Sequence, residues 1–291
     1  MEVVLNMKTA VPARMLALGV LASLMGLLFF QTFLRLRNEW DTNIYYSHGY
    51  LMIPLAVWLL WRKRATLMVL PMASTWKGLP LLLVGLALYV VGVRADILFA
   101  QGVALMAVLA GTVYTLAGPA IFKASLFPIG ILGFMIPLPY LVLDPIGFPM
   151  KSLAASASAG VLQAAGVPIV PDGVYLYLPG YTLVVEDICN GLRSLISMTM
   201  VGTVLAYISL PSNRERWLLV LLSIPISLVA NIIRILITAL LGYYVSDQLA
   251  QGFLHELSGL FVFLVSFGGL LLMERVLSWK SHERITGPLS A

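Results

Sequence analysis

Apolar side chains along this chain come in long blocks, and the polar residues gather in short segments between them. A helix rising about 1.5 Å per residue needs about 20 residues to cross the roughly 30 Å hydrocarbon core of a bilayer. Blocks of about that length occur near residues 15–34, 48–61, 79–94, 97–116, 119–138, 192–210, 217–241 and 255–274. Inside hydrocarbon every backbone N–H and C=O must be bonded internally, which leaves helices or a closed barrel. The blocks do not alternate with period two, so helices are expected. The pattern predicts an all-α, polytopic integral membrane bundle of about eight transmembrane helices, forming a single domain over 1–291.

Composition agrees with that picture. With 60% apolar and 11% charged side chains, the chain has too little polar surface to cover a water-soluble globule. The first block, Met15 to Leu34, follows Lys8 and Arg14 as a signal sequence would. It is longer than a signal-peptide core and has no clear small-x-small cleavage site, so it is read as a retained span.

The net charge of +5 bears on orientation more than on partners. No basic stripe with interleaved aromatics is present, so no nucleic-acid partner is expected. If the N-terminus is cytoplasmic, Lys8, Arg14, Arg62, Lys63, Arg64, Lys77, Lys123, Arg214, Arg216, Arg275, Lys280 and Arg284 fall inside, twelve of the 18 Lys and Arg. The positive-inside rule then puts both termini in the cytoplasm. Trp58, Trp61 and Arg62–Arg64 read as an aromatic and basic anchor at the inner interface.

An even number of crossings requires the stretch from Tyr140 to Asp187 to begin and end outside. Its Ala/Ser/Gly-rich part, Lys151 to Gly166, is expected to be an interfacial or re-entrant helix, with a ninth span as the alternative. Beyond it, Pro168, Pro171, Gly173, Pro179 and Gly180 punctuate two β-prone pieces, Val174–Leu178 and Tyr181–Val185. They predict a small extracytoplasmic hairpin or ordered loop that delivers Cys189 to the membrane face.

Cys189 is the sole cysteine, so no internal disulfide is available. It stands where a polar loop becomes an apolar helix, a setting that lowers thiol pKa. Arg193 is four residues on, the spacing that puts two side chains on one helical face. A lone cysteine is more often a small buried hydrophobe, and an arginine at a helix end often snorkels to the headgroups. Arg234, flanked by aliphatics in Ala230-Asn231-Ile232-Ile233-Arg234-Ile235, is harder to dismiss. An intramembrane arginine costs a few kcal/mol even on lenient scales and marks a functional site by default, the bland alternative being a guanidinium satisfied within the bundle. Asn231, three residues earlier, shares its face.

His255 opens the last span and is a candidate general base, against the plain reading of an interfacial histidine. His48, in Tyr46-Ser47-His48-Gly49-Tyr50, competes with it. Cys189 begins an out-to-in crossing, Arg234 lies toward the end of an in-to-out crossing, and His255 begins the next out-to-in crossing. All three are therefore expected at one membrane face, as a thiol nucleophile, a guanidinium for developing negative charge and a base. No zinc-ligand set, phosphate loop or serine-hydrolase elbow is found in the sequence, so no metal or cofactor is expected.

In order, Cys189-Asn190-Gly191-Leu192-Arg193, then Asn231-Ile232-Ile233-Arg234, then His255 with Gly259, resemble the exosortase and archaeosortase family of membrane-embedded sortase analogues. The segment from His48-Gly49-Tyr50-Leu51 through Pro54 and Trp58 to Arg64 resembles the family's N-terminal region. Asn190 departs from the family's common serine at that position. The resemblance implies a cysteine transpeptidase or protease in the bacterial inner membrane with its active site at the extracytoplasmic face. It also implies exported protein substrates bearing a C-terminal sorting signal: a short motif such as Pro-Glu-Pro, a transmembrane helix and a basic tail. Cys189 would form a thioester, Arg234 would stabilise the oxyanion and His255 would handle protons. Arg193 would support the thiolate or bind a substrate acid. The implied partners are membrane lipid, those exported substrates and an acceptor nucleophile the sequence does not identify, with an associated role in exopolysaccharide and biofilm production. A transporter of an anionic substrate and a scaffold of an exopolysaccharide assembly machine are the competing readings.

Overall fold

The computed structural model describes residues 19–185, 191–244 and 253–286. Helices dominate, as the block pattern predicts. Among the described residues five helices are long and apolar enough to cross a membrane, and up to seven if each of two bent pairs counts as one span. The chain divides into two compact units, residues 1–137 and 138–291, which are taken in turn.

The first unit holds α1 (Gly19–Leu28), α2 (Phe30–Thr42), α3 (Gly49–Arg62), the short α4 (Arg64–Val69), α5 (Leu79–Arg94), α6 (Leu98–Ala117) and α7 (Pro119–Ile131). The first apolar block is thus not one straight span: α1 and α2 meet at 66°. At the break, Tyr89 donates its hydroxyl to the Leu28 carbonyl at 2.6 Å, and its ring lies 4.5 Å from that of the fully buried Phe29. Its tightest packing is between α5 and α6. A Cβ added at Gly85 would lie 2.8 Å from the Val108 amide nitrogen, and one at Gly111 would lie 2.5 Å from that of Leu82. Only glycine permits that approach, the common way for helices to associate where apolar burial gives no preference for protein over lipid. Arg35 closes the short α5–α6 connection with an ion pair to Asp96 at 2.6 Å.

A 3-10 turn, Leu132–Met135, ends this unit's helical run. Two side chains hold it: Trp40 Nε1 donates to the Met135 carbonyl at 2.9 Å, and His48 Nε2 lies 3.1 Å from the Phe134 carbonyl. At the basic end of α3, the Arg62 guanidinium sits over Trp58 at 5.6 Å and that of Arg64 over Trp61 at 4.9 Å. Both indoles are largely exposed, as an interfacial anchor requires.

The second unit begins with α8 (Tyr140–Ala164), a 25-residue helix that includes the Ala/Ser/Gly-rich stretch. Three antiparallel strands follow in the order β1 (Val170–Asp172), β2 (Tyr175–Leu178) and β3 (Tyr181–Val184). The two expected β-prone pieces are β2 and β3, and β1 joins them. Both turns follow from their glycines. Gly173 at φ +59 occupies the first central position of the β1–β2 turn, and Gly180 at φ +75 the second central position after Pro179. These are positions where a positive φ is required of primed and type II turns respectively. Three long helices complete the unit: α9 (Leu192–Ser209), α10 (Asn213–Tyr244) and α11 (Phe253–Thr286).

Two apolar clusters set the unit's order. One joins the inner sheet face (Leu176, Leu178, Leu183, Val185) to α8 (Ala155, Ala159, Leu162) and to Ile235 and Ala239 of α10. The other joins Met198 and Ala206 of α9, and Leu210 just after it, to Leu219 of α10 and to Leu270 and Leu277 of α11. The sheet therefore rests on the C-terminal third of α10, while the opposite end of α10 packs into a three-helix core.

Candidate active site

The head of α9 is built on Gly191. This residue adopts φ +79, ψ −8, and the helix starts at Leu192, with Leu195 N–H donating to the Gly191 carbonyl at 2.8 Å. A left-handed residue at this point costs an L side chain about 1–2 kcal/mol and glycine nothing. The helix that bears Arg193 therefore begins after Gly191, and Cys189, with which Arg193 is expected to share a face, lies outside the described residues. Arg193 itself is exposed on α9.

Gly191 packs on Asn231. A Cβ there would stand 3.3 Å from Asn231 Cγ and Nδ2, so the backbone that carries the cysteine segment meets α10 directly at this side chain. Asn231 is 1% exposed and Arg234, one turn on, 7% exposed. Both lie on the buried face of α10, and Ile235 beside Arg234 is in the cluster under the sheet. The head of α9 and the sheet thus meet α10 at Asn231 and at Ile235 and Ala239, on either side of Arg234.

The order of ends agrees with this. Leu210 and Leu219 share a core with Leu277, so the C-terminal end of α9, the N-terminal end of α10 and the later part of α11 lie together. Gly269 of α11 packs on Ile226, where a Cβ would lie 3.1 Å from Cγ2. The three helices alternate in direction, which puts the first turn of α11, where His255 falls, toward the Arg234 end of α10. Cys189 lies outside the described residues, as does the side chain of His255. Two peptide units, about 7 Å of chain at most, separate Cys189 from Gly191.

His48 belongs to the first unit. It is half-buried at the start of α3. A carbonyl oxygen only accepts, so Nε2 is the donor in the contact with Phe134. Its neighbours explain the rest of the motif. A Cβ at Gly49 would overlap the Trp40 indole, and Tyr50 donates its hydroxyl to Asp41 at 2.7 Å.

One signal went unused in the sequence. Ser223, Ser227, Asn231 and Arg234 recur at spacings of four, four and three, and all four are buried on one face of α10. Ser223 is within 3.1 Å of Thr199 Oγ1 on α9. Polar residues at helical spacing inside a long apolar block mark the face that meets other protein rather than lipid. Among the described residues no cluster of three or more His, Cys, Asp or Glu could hold a metal ion.

Comparison with known families matches residues 40–272 to the model of the transmembrane exosortases. Comparisons with curated proteins and with solved structures returned no match. The matched region runs from Trp40, which holds the 3-10 turn, through the α9–α10 contact and into α11. The chain belongs to the transmembrane exosortase family.

Proposed function

We propose that this exosortase is a cysteine peptidase or transpeptidase that cuts the C-terminal sorting signal of exported proteins at the extracytoplasmic face of the inner membrane. The observation that carries the reading is the contact of Gly191 with Asn231, one turn from the buried Arg234. A guanidinium held in a protein interior within a short length of chain from a lone thiol is an arrangement suited to acyl transfer.

The chemistry follows from the groups. The Cys189 thiolate attacks the carbonyl carbon of the scissile peptide, forming the C–S bond. Arg234 donates hydrogen bonds to the oxygen that gains the negative charge, where low dielectric makes them strong. The C–N bond then breaks, the departing amine takes a proton from His255, and the upstream fragment remains as a thioester. Water or an amine resolves the thioester after giving a proton back to His255. Asn231 holds the head of α9 against the helix that carries Arg234, and exposed Arg193 is suited to an acid of the substrate. The linkage to exopolysaccharide and biofilm production belongs to the same reading.

The test is co-expression with a reporter ending in a short motif, a transmembrane helix and a basic tail. Wild type shortens the reporter, and Cys189→Ala and Arg234→Ala, both inserted in the membrane at normal levels, leave it intact. Unchanged processing by Cys189→Ala contradicts the reading.

A further inference from the structure

The two edges of the small sheet differ. Val185 N–H donates to the Val174 carbonyl at 2.9 Å, which makes 174 and 185 a hydrogen-bonded pair. In an antiparallel ladder such pairs alternate, so with Leu176 opposite Leu183 and Leu178 opposite Tyr181, residues 181, 183 and 185 turn their N–H and C=O toward β2. Thr182 and Val184 turn theirs away, to the free side of β3. Among the described residues no backbone hydrogen bond reaches them from that side. On the opposite edge, the same alternation makes Pro171 the β1 residue that faces outward. Proline has no N–H, the usual way a protein blunts an exposed edge. One edge of the sheet is therefore closed by sequence, and the other meets no further strand among the described residues.

The open edge leads to the nucleophile. β3 ends at Val184, five residues before Cys189, a span of at most about 17 Å if extended. Its inner face is fixed on α8 and on Ile235 and Ala239 of α10, next to Arg234, so the strand is a rigid platform. Outward N–H and C=O groups repeating every second residue match one kind of partner, the backbone of an extended peptide.

Resting on the proposed peptidase reading, we propose that β3 is the substrate-docking strand: the substrate segment just upstream of the cut adds to its open edge as a fourth strand. The added strand runs parallel to β3. A substrate whose soluble part lies outside and whose helix lies in the membrane enters the site in the same direction as β3, toward the head of α9. Backbone bonds to Thr182 and Val184 hold the residues about five positions before the scissile bond, and the carbonyl beyond them reaches Cys189.

Disulfide mapping tests this without turnover. In a Cys189→Ala background, Thr182→Cys or Val184→Cys is paired with single cysteines scanned along the reporter upstream of its membrane helix. The expected result is cross-linking at alternate reporter positions, with the preferred position moving two residues toward the C-terminus when the enzyme cysteine moves from 182 to 184. No cross-link, movement in the opposite sense, or a cross-link between two copies of the enzyme overturns the proposal. As a functional counterpart, Val184→Pro removes an outward N–H while sparing the β2 ladder. It is expected to lower cleavage at least tenfold at limiting substrate and to leave the thermal unfolding midpoint in place, whereas equal cleavage overturns the proposal. The cross-links are scored in a variant without a nucleophile, so they decide on the edge whether or not the wild-type chain cuts the reporter.

Discussion

Two helix seams in this protein are built from opposite materials. Between α5 and α6 the chain removes side chains: Gly85 and Gly111 bring backbone against backbone, and only Gln101, bonded to Thr32 and to the Gly92 carbonyl, interrupts an apolar contact. Between α9 and α10 it inserts polar groups, with Thr199 against Ser223, then Ser227, Asn231 and Arg234 in succession along the buried face. The first seam uses close approach to hold two spans together. The second accepts the cost of burying polar groups, and Gly191, two residues after the lone cysteine, packs on it at Asn231. On the proposed function, stability and chemistry belong to different interfaces, and substitutions in the two seams should fail in different ways.

The largest effect is expected from Arg234→Ala. Loss of a group that stabilises an oxyanion lowers turnover by about 100- to 1000-fold. Reporter cleavage per inserted molecule measures it, with the unfolding midpoint in detergent reporting separately on the fold. Gly111→Val should behave in the reverse way. Forcing a branched side chain against the Leu82 backbone destabilises by about 1–3 kcal/mol, seen as a lower midpoint and less folded protein. Gly191→Ala lies between the two classes. It strains a left-handed position by about 1–2 kcal/mol and crowds Asn231, so cleavage falls along with a modest loss of stability. The smallest effect is expected from His48→Ala. Loss of the bond to Phe134 is worth about 1 kcal/mol, and cleavage by the folded protein persists if His255 is the base. A hundredfold loss of cleavage with normal stability would instead make His48 the proton-handling residue.

The seams also show what was legible in the sequence. Apolar blocks of spanning length announced α5, α6, α9, α10 and α11, because block length is set by the bilayer and not by tertiary detail. Arg234 stood out because an arginine among aliphatics is costly to place in a membrane span, even when the bundle satisfies it. The hairpin was readable from Pro179-Gly180 between two β-prone runs, while β1 was missed because Val170-Pro171-Asp172 is short and carries a proline. The break at Phe29 was hidden, since the apolar block runs through it without a proline. Gly191 was the most consequential omission. Its left-handed conformation and its contact with Asn231 on α10 are not readable from the spacing of the motif.

On the proposed function, the thiol two residues before Gly191 works with the guanidinium on α10. Mass mapping of the enzyme after brief exposure to the reporter tests that pairing. The upstream reporter fragment is expected bound through a hydroxylamine-labile bond to the peptide containing Cys189, absent in Cys189→Ala and at least a hundredfold slower to form in Arg234→Ala. Cleavage of the reporter without such an adduct, or at full rate in Arg234→Ala, would contradict it.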